Sequence, residues 1–233
     1  MLINKNILFI HGSPGDNSAF KKYLNDPILN EIFNIIAIDR PGFGRSKKYK
    51  SQPNMKSQAD LISKYLIEDL KLTTINKNII FFSHSYGAPL SVLVSNQIFY
   101  KQTLMNQTQL EINLLLVSGP FNPDFNMIRW YNHFANYIII KNLIGKSLRS
   151  SNEEMMVLNK NLVNVKEILK KFRGKTYFIH GNKDRIVPIK HSKWAHELRE
   201  NLNLESEFLE YPTNHFIIWN NFKKIRELIL KLK

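Results

Sequence analysis

A chain of 233 residues, 43% hydrophobic and 22% charged, has room for one large α/β domain or two small ones, in the balance of a soluble globular protein. Zero cysteines exclude a disulfide framework, a thiol nucleophile and a thiolate metal site. The formal net charge of +14 fits either an acidic partner or simple lysine-rich composition, and no zinc-ligand spacing or arginine-rich arm supports nucleic-acid binding.

The first apolar run, residues 7–10, predicts a strand close to the N-terminus. No basic stretch with a long apolar core precedes it, so no signal peptide is expected and a cytoplasmic location is. The run ends in His11-Gly12-Ser13-Pro14-Gly15. A second strand, 34–38, ends in Asp39-Arg40-Pro41-Gly42-Phe43-Gly44-Arg45-Ser46. Met55, Ala59, Ile62, Leu66 and Leu70 then recur at helical spacing. The third strand, 78–82, leads into Ser83-His84-Ser85-Tyr86-Gly87 and a helix with Pro89 in its first turn, where a missing amide donor costs little.

A fourth strand is expected at 112–117. The stretch 121–175 that follows is too long for a simple crossover and reads as an inserted helical lid, aromatic and basic, carrying Phe125, Trp130, Phe134 and Tyr137. A fifth strand, 176–179, ends in His180-Gly181-Asn182-Lys183-Asp184-Arg185-Ile186-Val187-Pro188. A helix containing Trp194 and Leu198 follows, then a sixth strand at 206–210, Asn214-His215-Phe216, and a last helix over 221–230. Most strands are continuous apolar runs, as expected of strands buried on both faces. The pattern predicts an α/β three-layer sandwich: a mostly parallel six-stranded sheet built from 1–120 and 176–233, with the lid at 121–175. Active groups in such sheets gather at the carboxyl ends of the strands.

The chemistry-bearing motifs all sit at those ends. A serine hydroxyl is a weak nucleophile unless a tight turn presents it and a base takes its proton. Ser85 lies between a strand and a helix, where such a turn would form. The ordered set of motifs resembles the α/β-hydrolase fold superfamily, serine esterase-like, over nearly the whole chain. The resemblance implies Ser85 as nucleophile, Asp184 as acid and His215 as base, in the family order. It implies an oxyanion hole made by the backbone N–H groups of Tyr86 and Ser13, with Gly12 as the fallback for the second. Gly12, Trp130 and Phe134 are the expected substrate contacts. Two departures stand out: Ser83 occupies a position where glycine is common, and the usual first two strands of the fold are not found.

Asp124 is the rival acid, because some relatives carry the acid after the strand that precedes the lid; the longer match ending in Val187-Pro188 favours Asp184. Asp39 reads as a structural loop residue. His11 and His180 read as loop-stabilising, His84 as pointing away from the nucleophile, and His133, His191 and His196 as surface residues on helices. The resulting expectation is a cofactor-free, metal-free hydrolase of carboxylic esters or thioesters, working through an acyl-enzyme on a medium-length acyl group. An acidic acyl carrier protein is a candidate partner. The alternatives are an acyl-carrier-linked methyl ester esterase like that of biotin synthesis, a carbon–carbon bond hydrolase, a non-catalytic binding protein on the same scaffold, and peripheral membrane contact through 125–148.

Overall fold

The computed structural model describes residues 5–71, 78–104, 110–125, 127 and 145–232. Its strands are β1 (Lys5–Ile10), β2 (Asn34–Ile38), β3 (Asn78–His84), β4 (Glu111–Val117), β5 (Thr176–Gly181) and β6 (Ser206–Tyr211). They form one sheet in the order β2-β1-β3-β4-β5-β6, and every pairing is parallel. The chain starts at β1, adds β2 on one side, then crosses to β3 on the other. That reversal leaves a crevice at the carboxyl ends of β1 and β3, where Ile10 pairs with Ser83.

Nine helices are labelled here among the described residues: α1 (Lys21–Leu24), α2 (Pro27–Ile32), α3 (Met55–Lys64), α4 (Gly87–Leu104), α5 (Lys146–Met156), α6 (Leu158–Leu169), α7 (Lys190–Glu200), α8 (Ile217–Asn220) and α9 (Phe222–Leu230). Local chemistry starts several of them. Asp26 accepts the Ile28 and Leu29 amides ahead of Pro27, the first residue of α2, and Asn54 accepts the Ser57 amide ahead of α3. The apolar stripe from Met55 runs through two pieces, α3 and a π-helical turn at Tyr65–Asp69, and ends at Leu70 just beyond them.

Alternate residues of each central strand feed two separate cores. Leu8, Phe81, Leu114 and Phe178 pack with α3, α4, α6 and α7 on one face. Phe9, Phe82, Leu115 and Ile179 pack with α8, α9 and the helices between β1 and β2 on the other. Helix α6 thus contributes to the domain core itself: Leu158, Leu162, Val165 and Leu169 are fully buried, each worth about 1.5–3 kcal/mol of apolar burial. The buried face of α5 is different, made of Ser150, Ser151, Asn152 and Glu154. No helix among the described residues is long and apolar enough to cross a membrane. Trp130, His133 and Phe134 lie outside the described residues.

Candidate active site

Ser85 sits in the turn between β3 and α4 with φ of 55°, the left-handed region. A residue with a side chain adopts this conformation at a cost of about 1–3 kcal/mol, and only where its surroundings hold it. Here the Ser85 amide donates to the Val117 carbonyl at the end of β4, 2.8 Å away. Two glycines let the neighbouring loop close on the turn. A Cβ at Gly87 would lie 2.3 Å from the Ile10 carbonyl oxygen, and one at Gly12 would lie 2.9 Å from the Ser85 Cβ. Ser83 fits beside the turn, buried, its hydroxyl 2.8 Å from that of Ser91 on α4.

The loops after β5 and β6 bring two more side chains to this point. A Cβ at Gly181 would lie 2.3 Å from the Thr213 carbonyl oxygen, so the two loops touch through backbone. Asp184 Oδ1 accepts the amides of Ile186 and Val187, each at 2.9 Å, which orders the carboxylate on its own loop. Asp184 Oδ2 accepts His215 Nδ1–H at 2.7 Å and lies 3.2 Å from His180 Nε2. With its proton on Nδ1, His215 turns the Nε2 lone pair toward Ser85 Oγ, 3.1 Å away. Burial alone would raise the Asp184 pKa, but hydrogen bonds from His180 and His215, with the His215 charge, outweigh it and hold the carboxyl below its usual range.

His84 has a role that its position beside Ser85 does not advertise. The expectation that it points away from the nucleophile is corrected. Its Nε2–H donates to the His215 carbonyl at 2.9 Å, and its ring lies 4.8 Å from the His215 ring and 5.2 Å from that of Trp219. Burial, then the charge of His215, lowers its pKa to about 3, so it stays neutral and braces the His215 backbone. A cavity of about 660 Å³ opens beside Ser85, lined by Gly12, Ser13, Asp16, His84, His215 and Trp219 among others.

Residues 5–98 match the family described as alpha/beta hydrolase fold. No curated protein matches the chain in sequence. Among solved structures, it is similar to a lipase-esterase related protein from Clostridium acetobutylicum, with a TM-score of 0.71, 19% identity, and coverage of 99% of this chain and 95% of that one. It is similar to the thioesterase RedJ of the prodiginine biosynthetic pathway in Streptomyces coelicolor, with a TM-score of 0.64, 16% identity and coverage of 92% and 83%. It is also similar to a monoacylglycerol lipase from Paleococcus ferrophilus, with a TM-score of 0.67, 15% identity and coverage of 97% and 92%. This protein has the α/β-hydrolase fold.

Within that α/β-hydrolase scaffold, a second polar cluster lies next to the Gly12–Ser13 loop. Arg40 and Glu154 form a buried ion pair. The Arg40 guanidinium also donates to the carbonyls of His11 at 3.1 Å and Gly12 at 2.9 Å, and to Gln58 Oε1 at 3.0 Å. It lies 4.5 Å from the Phe43 ring centroid and 4.6 Å from that of Tyr86. Glu154 further accepts Gln58 Nε2–H at 2.7 Å and the Ser13 hydroxyl at 2.5 Å. Burial, then the Arg40 charge, holds the His11 pKa well below its ordinary value. Neutral His11 can therefore accept the Arg40 amide at Nε2, 3.0 Å away, while Nδ1–H donates to the Gly12 carbonyl at 2.7 Å. Burial, then the Glu154 charge, raises the Tyr86 phenol well above its usual range, and the residue is buried.

The remaining candidates divide cleanly. Asp124 is exposed and its amide donates to Asn122 Oδ1, whereas Asp184 holds His215. Asp39 accepts the amides of Asn17 and Arg45, at 2.7 and 2.9 Å, in a structural role. His180 braces the Asp184 loop through Val187 O and Ser192 Oγ, at 2.9 and 2.7 Å. His191 is corrected from a surface residue to a fully buried one: its Nδ1 accepts the amides of Phe121 and Asn122, at 3.1 and 3.2 Å. Sequence reasoning missed Gln58 and Glu154 altogether. Nothing along the chain pairs Glu154 with partners 96, 114 and 141 residues away.

Proposed function

We propose that this protein is a serine hydrolase that cleaves carboxylic esters or thioesters through an acyl-enzyme. The observation that carries the reading is the continuous hydrogen-bonded line from Ser85 Oγ through His215 to Asp184, at 3.1 and 2.7 Å, opening on a cavity. Ser85 Oγ adds to the carbonyl carbon while His215 Nε2 takes its proton, and Asp184 stabilises the imidazolium. The carbonyl oxygen becomes negative and meets the N–H groups of Ser13 and Tyr86; losing one such donor costs roughly 3 kcal/mol. The intermediate collapses, and His215 returns the proton to the departing alcohol or thiol. Water, deprotonated by His215, then attacks the acyl carbonyl and frees Ser85.

The insertion at 121–175 covers this site while its helix α6 stays packed in the domain core, and the substrate is a medium-length acyl group. Ile186 and Phe216, 51% and 48% exposed, give the cavity an apolar rim. Its volume of about 660 Å³ lies in the range of small-molecule sites. Hydrolysis of p-nitrophenyl esters of increasing chain length, with Ser85→Ala in parallel, tests the reading. Turnover lost in the variant, with fluorophosphonate labelling of Ser85, is the expected result; equal turnover by both proteins would defeat it.

Thioesters held by an acidic carrier are the second reading, favoured by the net charge of +14 and the similarity to a thioesterase. Turnover of a carrier-bound thioester should then fall with added salt and in Lys170→Glu/Lys171→Glu. Insensitivity to both would remove the carrier from the account.

A further inference from the structure

We propose that Glu154, carried by lid helix α5, is a positioning residue that sets the direction and donor strength of the Ser13 N–H, so that seating the lid completes the oxyanion hole. The inference rests on the reading of the Ser13 amide as an oxyanion donor.

The argument runs through a single peptide plane. The Gly12 carbonyl and the Ser13 N–H belong to the same planar unit, and in its trans form they point in opposite directions. Whatever holds the carbonyl therefore aims the amide. Two donors hold it: Arg40 Nη2 at 2.9 Å and His11 Nδ1 at 2.7 Å. A charged donor on the carbonyl also polarises the peptide and strengthens its N–H as a donor. Arg40 Nε secures the preceding carbonyl, His11 O, at 3.1 Å, so two successive peptide units are pinned.

Arg40 can stand there, fully buried, because Glu154 neutralises it. Glu154 is itself held by Gln58 at 2.7 Å, and its second oxygen takes the Ser13 hydroxyl at 2.5 Å. The lid carboxylate thus clamps Ser13 twice, directly through the hydroxyl and indirectly through Arg40 and the Gly12 carbonyl. The same guanidinium lies against the ring of Tyr86, whose backbone is the other expected donor. A lid that carried Glu154 away would leave an unpaired buried cation and release both constraints.

The test compares wild type, Glu154→Gln, Ser13→Ala, the double variant and Ser85→Ala. Each is assayed for kcat and KM on a p-nitrophenyl ester, for affinity toward an alkyl boronic acid, and for thermal unfolding. The boronic acid adds to Ser85 as a tetrahedral adduct that needs the oxyanion donors. Glu154→Gln should lower kcat about tenfold with KM within about twofold, and boronate affinity should fall by a similar factor. Ser13→Ala, which keeps the amide and removes one hydrogen bond, should lower kcat a few-fold. The double variant should be no worse than Glu154→Gln alone, because the two act on one constraint.

A folded Glu154→Gln with wild-type kcat and boronate affinity overturns the proposal. So does a loss confined to KM, or effects that simply add. If Glu154→Gln does not fold, Ser13→Ala decides: unchanged kcat and boronate affinity reject the clamp. Ser85→Ala separates the two levels, since activity or boronate binding that survives it refutes the site assignment rather than the role of Glu154.

Discussion

Two buried carboxylates lie one residue removed from the Ser85 turn, Asp184 behind His215 and Glu154 behind the Gly12–Ser13 loop, and they are held in contrasting ways. Asp184 is ordered by its own loop: its Oδ1 takes the amides of Ile186 and Val187, two and three positions on. Its partners His180 and His215 lie on the adjoining strand ends. Glu154 has no such local frame. It takes a guanidinium, a side-chain amide and a hydroxyl from three separate segments of the core. A carboxylate framed by its own loop is set once that loop folds. Glu154 is set only when α5 packs against those segments.

The contrast is broken most directly at Asp184. Asp184→Asn still offers an oxygen to the Ile186 and Val187 amides but no longer supports the imidazolium. It should cut kcat about 10,000-fold with little change in melting temperature, against about tenfold for Glu154→Gln. Equal losses in steady-state assays would erase the distinction. The next largest effect is on stability. Arg40→Met strands Glu154 as an unpaired buried charge and should cost about 3–5 kcal/mol in urea unfolding. Adding Glu154→Leu should recover most of that stability but none of the lost kcat, because the peptide plane stays unpinned. Recovery of both would reduce the cluster to a structural clasp.

Gly12→Ala sharpens the comparison from the turn itself. Its Cβ would meet the Ser85 Cβ at 2.9 Å and the His84 carbonyl oxygen at 3.3 Å, so loop or turn must shift. The expected cost is about 100-fold in kcat and about 1–3 kcal/mol of stability, read from kinetics and thermal melts of the same preparation.

The smallest effect of a single group on activity is in acid, where the change is in stability. His84 is lowered to about 3 and His191 to about 4, both first by burial, and His11 lies well below its ordinary 6.5 for the same first reason. In each case the unfolded chain binds more protons below 6.5, so stability is full above that pH and falls as pH drops through the histidine range. Each histidine adds a slope of up to about 1.4 kcal/mol per pH unit. Asp184, whose folded pKa lies below its ordinary 3.8, loses its contribution only below that value. Unfolding free energy should therefore fall between pH 6.5 and 5, and His191→Gln should flatten the slope. Stability that holds flat to pH 4 would assign acid lability to the carboxylates instead.

The succession of strands and the Ser85 turn were legible along the chain because both leave local marks. Fully buried parallel strands need continuous apolar runs, and 78–82 and 112–117 are such runs. Asp184 was expected from the resemblance, through the motif match ending in Val187-Pro188, and the structure puts its carboxylate 2.7 Å from His215 Nδ1. His84 and His191 were misread because a histidine looks the same whether its ring meets water or a distant backbone group. For His84 that group is the His215 carbonyl, 131 residues away. Helix α5 hid for the same reason: its buried face is serine, asparagine and glutamate, so no apolar stripe marks it as packed.

The amino-acid pattern by itself determined the layers, the succession of strands and the positions of Ser85, Asp184 and His215 at strand ends, since periodicity and turn chemistry are short-range. Only the tertiary structure decided which polar groups would lose water together. Pairing Glu154 with Arg40 depends on helix α5 coming to rest against a loop 114 residues earlier. The free energy of a buried charge is set by whatever ends up beside it, not by its neighbours along the backbone.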